Sequence, residues 1–244
     1  MGSTTDVSVR GLSKHFGRVR AVDDVTFEVP PGRVTGFLGP NGAGKTTTLR
    51  MMLGLVRPSA GEALIGGRRY DELAAPRRMV GAVLEATGFH PGRRGRDHLR
   101  IAAQVAGLPV SRVDEVLDQV GLTDPAARRV GGYSLGMRQR LGLAAALLGD
   151  PWLLILDEPA NGLDPAGMAW LRALLRDLAG EGRTVIISSH LLSEVAQTVD
   201  HVVIVGQGRL RFDGALDALA EDGTSLEEAF LRLTDTTESM PVTR

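Results

Sequence analysis

Short apolar runs alternate with segments of helical spacing along most of the chain. Val7 and Val9, then Val25, Phe27 and Val29, recur at every second position, which predicts half-covered strands over 6–10 and 24–29. Pro30, Pro31 and Gly32 form a turn signal. Val34–Leu38 is largely apolar and predicts a short buried strand running straight into a glycine-rich loop. Residues 45–55 have helical composition, and Pro58, Ser59, Ala60 and Gly61 are expected to stop that helix. Strand character returns at 62–65 and again in the apolar run 79–84. The stretch from about 97 to 150 is mostly helical, broken at 107–109, 121 and 131–132. Buried strands are predicted at Leu153–Leu156 and Thr184–Ser188, with a helix over 171–179 between them. Residues 202–205 are a further strand-sized apolar stretch, 215–220 reads as a short helix, and the last ten or so residues read as frayed.

Strands alternating with helices predict an α/β fold around a covered, parallel sheet. Such sheets bind ligands beyond the carboxyl ends of their strands. Four of the apolar runs end in chemically useful residues. Val34–Leu38 ends at the glycine loop, 79–84 at Glu85, Leu153–Leu156 at Asp157 and Glu158, and Thr184–Ser188 at Ser189 and His190. If these strands are parallel neighbours, those residues gather at one edge.

Composition narrows the options. The 244 residues suffice for one large α/β domain or two small ones, and 43% apolar with 23% charged residues is ordinary for a globular protein. A net charge of −1 argues against a dedicated nucleic-acid binder. The absence of cysteine removes disulfides, thiolate metal sites and thiol nucleophiles. No apolar run approaches the roughly 18 residues of a membrane span, and the first ten residues lack an apolar signal core. Any membrane association is therefore expected through a partner. Arginine almost replaces lysine; Lys14 and Lys45 are the only lysines.

Lys45 lies in Gly39-Pro40-Asn41-Gly42-Ala43-Gly44-Lys45-Thr46-Thr47, which matches the phosphate-loop pattern G-x-x-x-x-G-K-[ST]. Glycines let the backbone wrap closely, so that N–H groups point at phosphate oxygens, and the helix that follows adds its positive end. Lysine supplies charge for the β- and γ-phosphates, and the Thr46 hydroxyl is a candidate ligand for Mg²⁺. Asp157, at a strand end, can hold that metal through water. Glu158 can polarise the attacking water, and His190 is a candidate contact to the γ-phosphate. Together these residues point to a P-loop nucleotide hydrolase.

The segment Tyr133-Ser134-Leu135-Gly136-Met137-Arg138-Gln139-Arg140 opens a helical run, where Ser134 is also a natural helix cap. It resembles the signature motif of ABC ATPases, commonly LSGGQ. Ser134 and Gly136 match; Leu135 and Met137 depart from the common form. The variant SLGMRQR resembles the drug- and antibiotic-export branch. The resemblance covers nearly the whole chain. Phe16 resembles the aromatic that stacks on adenine, Gly39–Thr47 the Walker A loop and Asp157–Glu158 the end of Walker B. Asn161-Gly162-Leu163-Asp164 resembles the D-loop, His190 the switch histidine, and Leu226–Leu233 the end of exporter ATPase subunits. Glu85 stands where the family usually has glutamine, and would touch Mg²⁺ or water with an added negative charge.

The resemblance implies a single ABC ATPase domain over 1–244. It would be a RecA-like, mainly parallel sheet core with an antiparallel β subdomain and an inserted helical subdomain at roughly 86–150, and with a tail at 234–244. It implies ATP and Mg²⁺ as cofactors and two ATPase subunits that sandwich two ATP molecules between Walker A of one and the signature of the other. It also implies a separate membrane-spanning permease, a peripheral place on the cytoplasmic side of the membrane, and no nucleic-acid partner. Phe89, His90, Pro91, Arg93, Arg94 and Arg96 form the expected docking face for the permease. The alternative is an ABC ATPase acting on a soluble partner, as in cluster assembly. A small-molecule kinase or GTPase fits less well, because the chain lacks an Asn-Lys-x-Asp guanine-reading motif.

Overall fold

The computed structural model describes residues 6–84, 88–220 and 225–234. In chain order it contains β1 (Val7–Phe16), β2 (Val19–Val29), β3 (Val34–Leu38), α1 (Lys45–Met52), β4 (Ala60–Ile65), α2 (Pro76–Met79) and β5 (Val80–Val83). There follow α3 (Gly95–Val105), α4 (Arg112–Gln119), α5 (Leu135–Leu147), β6 (Leu153–Leu156), α6 (Pro165–Gly180) and β7 (Thr184–Ser189). The chain closes with α7 (Leu192–Val195), β8 (His201–Gly206), β9 (Arg209–Ala215) and α8 (Leu226–Thr234).

Six strands form the central sheet in the order β5-β6-β7-β3-β8-β9. Every pairing is parallel except β8 with β9, which a two-residue turn joins antiparallel. Side chains of a strand point alternately to opposite faces. Along β6, Leu154 and Leu156 enter one apolar cluster, shared with α3 to α6, while Leu153 and Ile155 enter another, shared with α1 and the N-terminal strands. Val185 and Ile187 of β7 divide from Ile186 in the same way, as do Val202 and Ile204 of β8 from Val203 and Val205. Each such fully buried side chain contributes roughly 1.5–3 kcal/mol. The sheet is therefore the partition between two cores, and its C-terminal edge is held from both sides.

A second sheet, β2-β1-β4, is antiparallel throughout. Register shifts between Val9 and Leu12 and on to His15 interrupt its alternation, so both of its first two strands run longer than the sequence periodicity suggests. Helix α1 stops at Met52, short of the expected 55. Gly54, at φ 67°, takes the left-handed conformation that ends a helix, and its N–H donates to Met51 O. Residue 79 closes a helical turn begun by Pro76 rather than opening a strand. Residues 216–220 form a 3₁₀ turn, with Ala215 still in β9. The expectations for Glu85 and for the tail beyond 234 fall outside the described residues.

Candidate functional site

The parallel order sets the ends of β5, β6, β7 and β3 side by side. Leu38 pairs with Ser189, Leu156 with Ile187, and Val83 with Leu156. The glycine loop leaves β3 and enters α1 at Lys45. Gly44 sits at φ 98°, and a Cβ there would lie 2.4 Å from Ala21 O, so only glycine brings the loop this close to β2. No side chain caps α1. Its first N–H groups and positive end are thus presented by the loop itself.

Lys45 is 6% exposed. Its Nζ donates to Gly39 O at 2.7 Å and Pro40 O at 3.3 Å, and lies 3.5 Å from Glu158 Oε1. Thr46 Oγ1 donates to Asp157 Oδ2 at 2.7 Å. His190 Nδ1 is 2.9 Å from Glu158 Oε2. A carboxylate only accepts, so the proton of that contact sits on Nδ1. Glu158 itself holds the left-handed backbone at φ 49°, which costs an L-residue roughly 1–2 kcal/mol. Lys45, Thr46, Glu158 and His190 border a cleft of about 350 Å³ whose walls also include Asn41, Gly42, Gly44, Thr47 and Asn161, while Asp157 sits behind Thr46, outside its walls. A larger cleft of about 610 Å³ lies between the end of α1 and β4, and none of the sequence-predicted site residues borders it.

The other candidates stand apart from this cleft. Phe16 is exposed at the end of β1, with the Lys14 ammonium 5.0 Å from its ring centroid. Ser134 caps α5, its Oγ accepting from Met137 N at 3.2 Å. Asp164 caps α6, its Oδ1 accepting from Gly167 N at 2.7 Å. The two caps are tied together: a Cβ on Gly136 would sit 3.5 Å from Leu163 Cδ2, and Gln139 Nε2 donates to Asn161 O at 3.4 Å. Further along α5, the Arg140 guanidinium lies 3.9 Å over the Trp170 ring of α6 and donates to Val120 O at 2.9 Å. Burial pulls that guanidinium below its ordinary value, and Asp164 acts in the opposite sense.

Sequence reasoning passed over Ser188. It is fully buried, its Oγ donates to Asp157 Oδ1, and it accepts from Glu158 N at 2.9 Å. Its residue type gave little signal, since Thr184 and Ser189 of the same strand are polar as well.

Fold and site define a P-loop nucleotide-binding protein. Residues 22–161 match the family described as ABC transporter. The bacitracin transport ATP-binding protein of Bacillus licheniformis is 45% identical over 210 residues, covering 85% of this chain and 69% of that protein. The lantibiotic transport ATP-binding protein of Streptococcus pyogenes is 34% identical over 224 residues, covering 92% of this chain and 95% of that one. Among solved structures, an ATP-binding subunit of an ABC transporter has a TM-score of 0.84 at 30% identity, covering 94% of this chain and 99% of the other. A nucleotide-free ATP-binding cassette shares the fold, with a TM-score of 0.77 at 20% identity over 86% of this chain and 90% of that one. The chain belongs to the ABC transporter family, as an ATP-binding subunit with ATPase activity. No helix among the described residues is long and apolar enough to cross a membrane.

Proposed function

We propose that this subunit hydrolyses MgATP to drive export of antibiotic-like, amphipathic cargo through a membrane-spanning permease on a separate chain. The observation that carries the reading is the meeting of Lys45, Thr46, Asp157, Glu158 and His190 at one sheet edge. The cargo class rests on the bacitracin and lantibiotic transport relatives. The chain would act as one ABC ATPase domain, with residues of roughly 86–150 as its helical subdomain.

In this reading Gly39–Thr47 cradle the triphosphate with backbone N–H groups, and Lys45 exchanges its loop carbonyls for the β- and γ-phosphates. Thr46 Oγ1 and Asp157 Oδ2 form an oxygen pair suited to a hard divalent cation. Among the described residues no cluster of three His, Cys, Asp or Glu would hold a metal alone. That fits Mg²⁺, which binds largely through phosphates and water. A divalent cation held by Thr46 and Asp157 would supply neutralisation of the nucleotide's phosphate charge. Glu158 accepts the proton of the attacking water, and His190, its Nδ1 held by Glu158, keeps Nε2 for the γ-phosphate. Glu85 is a third candidate metal contact, and Phe16 is the adenine platform. Ser134, Gly136 and Asp164 lie away from the cleft, so a second copy would supply them across a nucleotide sandwich. ATP binding closes that homodimer and hydrolysis reopens it.

The subunit would lie on the cytoplasmic side of the membrane, held by the permease and by no nucleic acid. The docking face comprises Phe89, His90, Pro91, Arg93, Arg94 and Arg96. Three of these have side chains engaged within the chain: Phe89 packs on the core and against His98, His90 Nδ1 accepts from Gly92 N, and Arg96 pairs with Asp114. Arg93 and Arg94 are the better partner contacts, and Arg93→Glu with Arg94→Glu should uncouple transport while sparing hydrolysis.

The test is to recover tagged Glu158→Gln chain with ATP from detergent-solubilised membranes of its host and identify what accompanies it. A polytopic membrane protein is expected. A soluble or ribosomal partner, with nothing from the membrane, would overturn the transport claim and leave the ATPase.

A further inference from the structure

We propose that Ser188 is a positioning residue that sets both carboxylates of the ATPase site. The inference rests on the roles assigned above to Asp157 and Glu158, and adds a group that neither the phosphate loop nor the strand-end acids contain.

Ser188 lies in β7 in register with Phe37 of β3, one step past the Leu156–Ile187 pair that ends β6. Alternation puts it on the face of Ile186, toward the cluster that contains α1, and so toward Thr46. Its hydroxyl is fully buried and works in both directions. It donates to Asp157 Oδ1, while Oδ2 of the same carboxylate receives the Thr46 hydroxyl. Asp157 is thereby held at both oxygens, and its plane is fixed relative to α1. The same Oγ accepts the Glu158 N–H at 2.9 Å. That N–H belongs to a residue in left-handed backbone, whose side chain in this conformation reaches Lys45 and His190. One hydroxyl thus orients the metal-side carboxylate through its side chain and the water-side carboxylate through its backbone. An apolar residue here would take the donor from Asp157 Oδ1, leaving that carboxylate only the Thr46 hydroxyl, and would take the acceptor from the Glu158 N–H, which is costly.

The experiment compares Ser188→Ala, Ser188→Cys and Ser188→Thr in the full chain. Cysteine is close to serine in size but a weak donor and acceptor, so it keeps packing while losing the bonds. Threonine keeps the hydroxyl. Three readouts are needed: steady-state ATP hydrolysis, the Mg²⁺ dependence of binding of a fluorescent N-methylanthraniloyl ATP, and the thermal unfolding midpoint. The alanine and cysteine variants are expected to lose about tenfold in kcat, with KM for ATP within about twofold of the parent. Their Mg²⁺ midpoint for nucleotide binding should rise by several fold, and threonine should restore most of kcat. If alanine does not fold, cysteine against threonine carries the comparison. Parental kcat and Mg²⁺ midpoint in the cysteine variant would overturn the assignment. So would a loss of kcat that only tracks the unfolding midpoint, with the Mg²⁺ midpoint unmoved. Glu158→Gln measured alongside separates the levels. Parental hydrolysis in that variant removes the catalytic reading itself, whereas its loss beside an intact Ser188→Cys removes only the role of Ser188.

Discussion

Arg140 joins the helix that Ser134 caps to the helix that Asp164 caps, and the strength of that join can be measured. Its guanidinium lies 3.9 Å from the centre of the Trp170 ring, half-buried between α5, α6 and the end of α4. Cation–π contacts run from about 0.5–1 kcal/mol when exposed to about 2 kcal/mol or more when desolvated. Burial already pulls this guanidinium down, so a value between those limits is expected, about 1–2 kcal/mol. The perturbation is a double-mutant cycle with Arg140→Met and Trp170→Leu, each alone and together, followed by urea unfolding. Arg140→Met also removes the bond to Val120 O, but that loss occurs on both arms of the cycle and cancels. A coupling energy of about 1–2 kcal/mol supports the contact as the brace between the helices. A coupling below about 0.3 kcal/mol, within the additivity of independent sites, would refute it.

Glu158→Gln should lower hydrolysis by about 10²-fold or more, because it removes the proton acceptor. It should keep nucleotide affinity within about threefold and accumulate an ATP-bound dimer by size-exclusion chromatography; parental phosphate release would contradict the role. His98 offers a pH test. Burial, and then the charge of Arg93, hold its imidazole below the ordinary value of 6.5, and its buried Nδ1 finds no hydrogen-bond partner among the described residues. The unfolded chain therefore takes up a proton here before the folded one does. That contribution to instability is absent above about pH 6.5 and grows as pH falls below it. His98→Phe should flatten the fall in unfolding midpoint between about pH 7 and 5, and parallel slopes for parent and variant would show that His98 is not its source.

Much of the site was legible because its residues sit where apolar strands stop. Asp157, Glu158 and His190 each follow a run of buried positions, and a parallel sheet aligns such ends without further information. Ser188 was not legible, since its role depends on β6 lying beside β7, a neighbour relation that no local pattern encodes. Strand β9 was passed over although Arg209, Arg211 and Asp213 alternate with Leu210, Phe212 and Gly214, the period of a half-covered edge strand. The early stop of α1 was written in Gly54 but was masked by the stronger turn signal at 58–61. The bulges in β1 hid half of that strand by breaking its alternation.

Strand β3 carries the phosphate loop, yet the strands on either side of it come from the far end of the chain. The Gly32 N–H is held by Thr184 Oγ1, 152 residues on, and the Val34 N–H by Asp200 Oδ2, 166 residues on. Gly208 reaches back as well, donating to Ala43 O within the loop itself. The loop is therefore synthesised well before the residues that support it. A chain that stops before Asp200 and Gly208 would carry the complete phosphate-loop sequence without these supporting bonds. The nucleotide site is thus long-range in origin, and a truncation that removes Asp200 and Gly208 should cost nucleotide affinity while leaving the loop sequence intact.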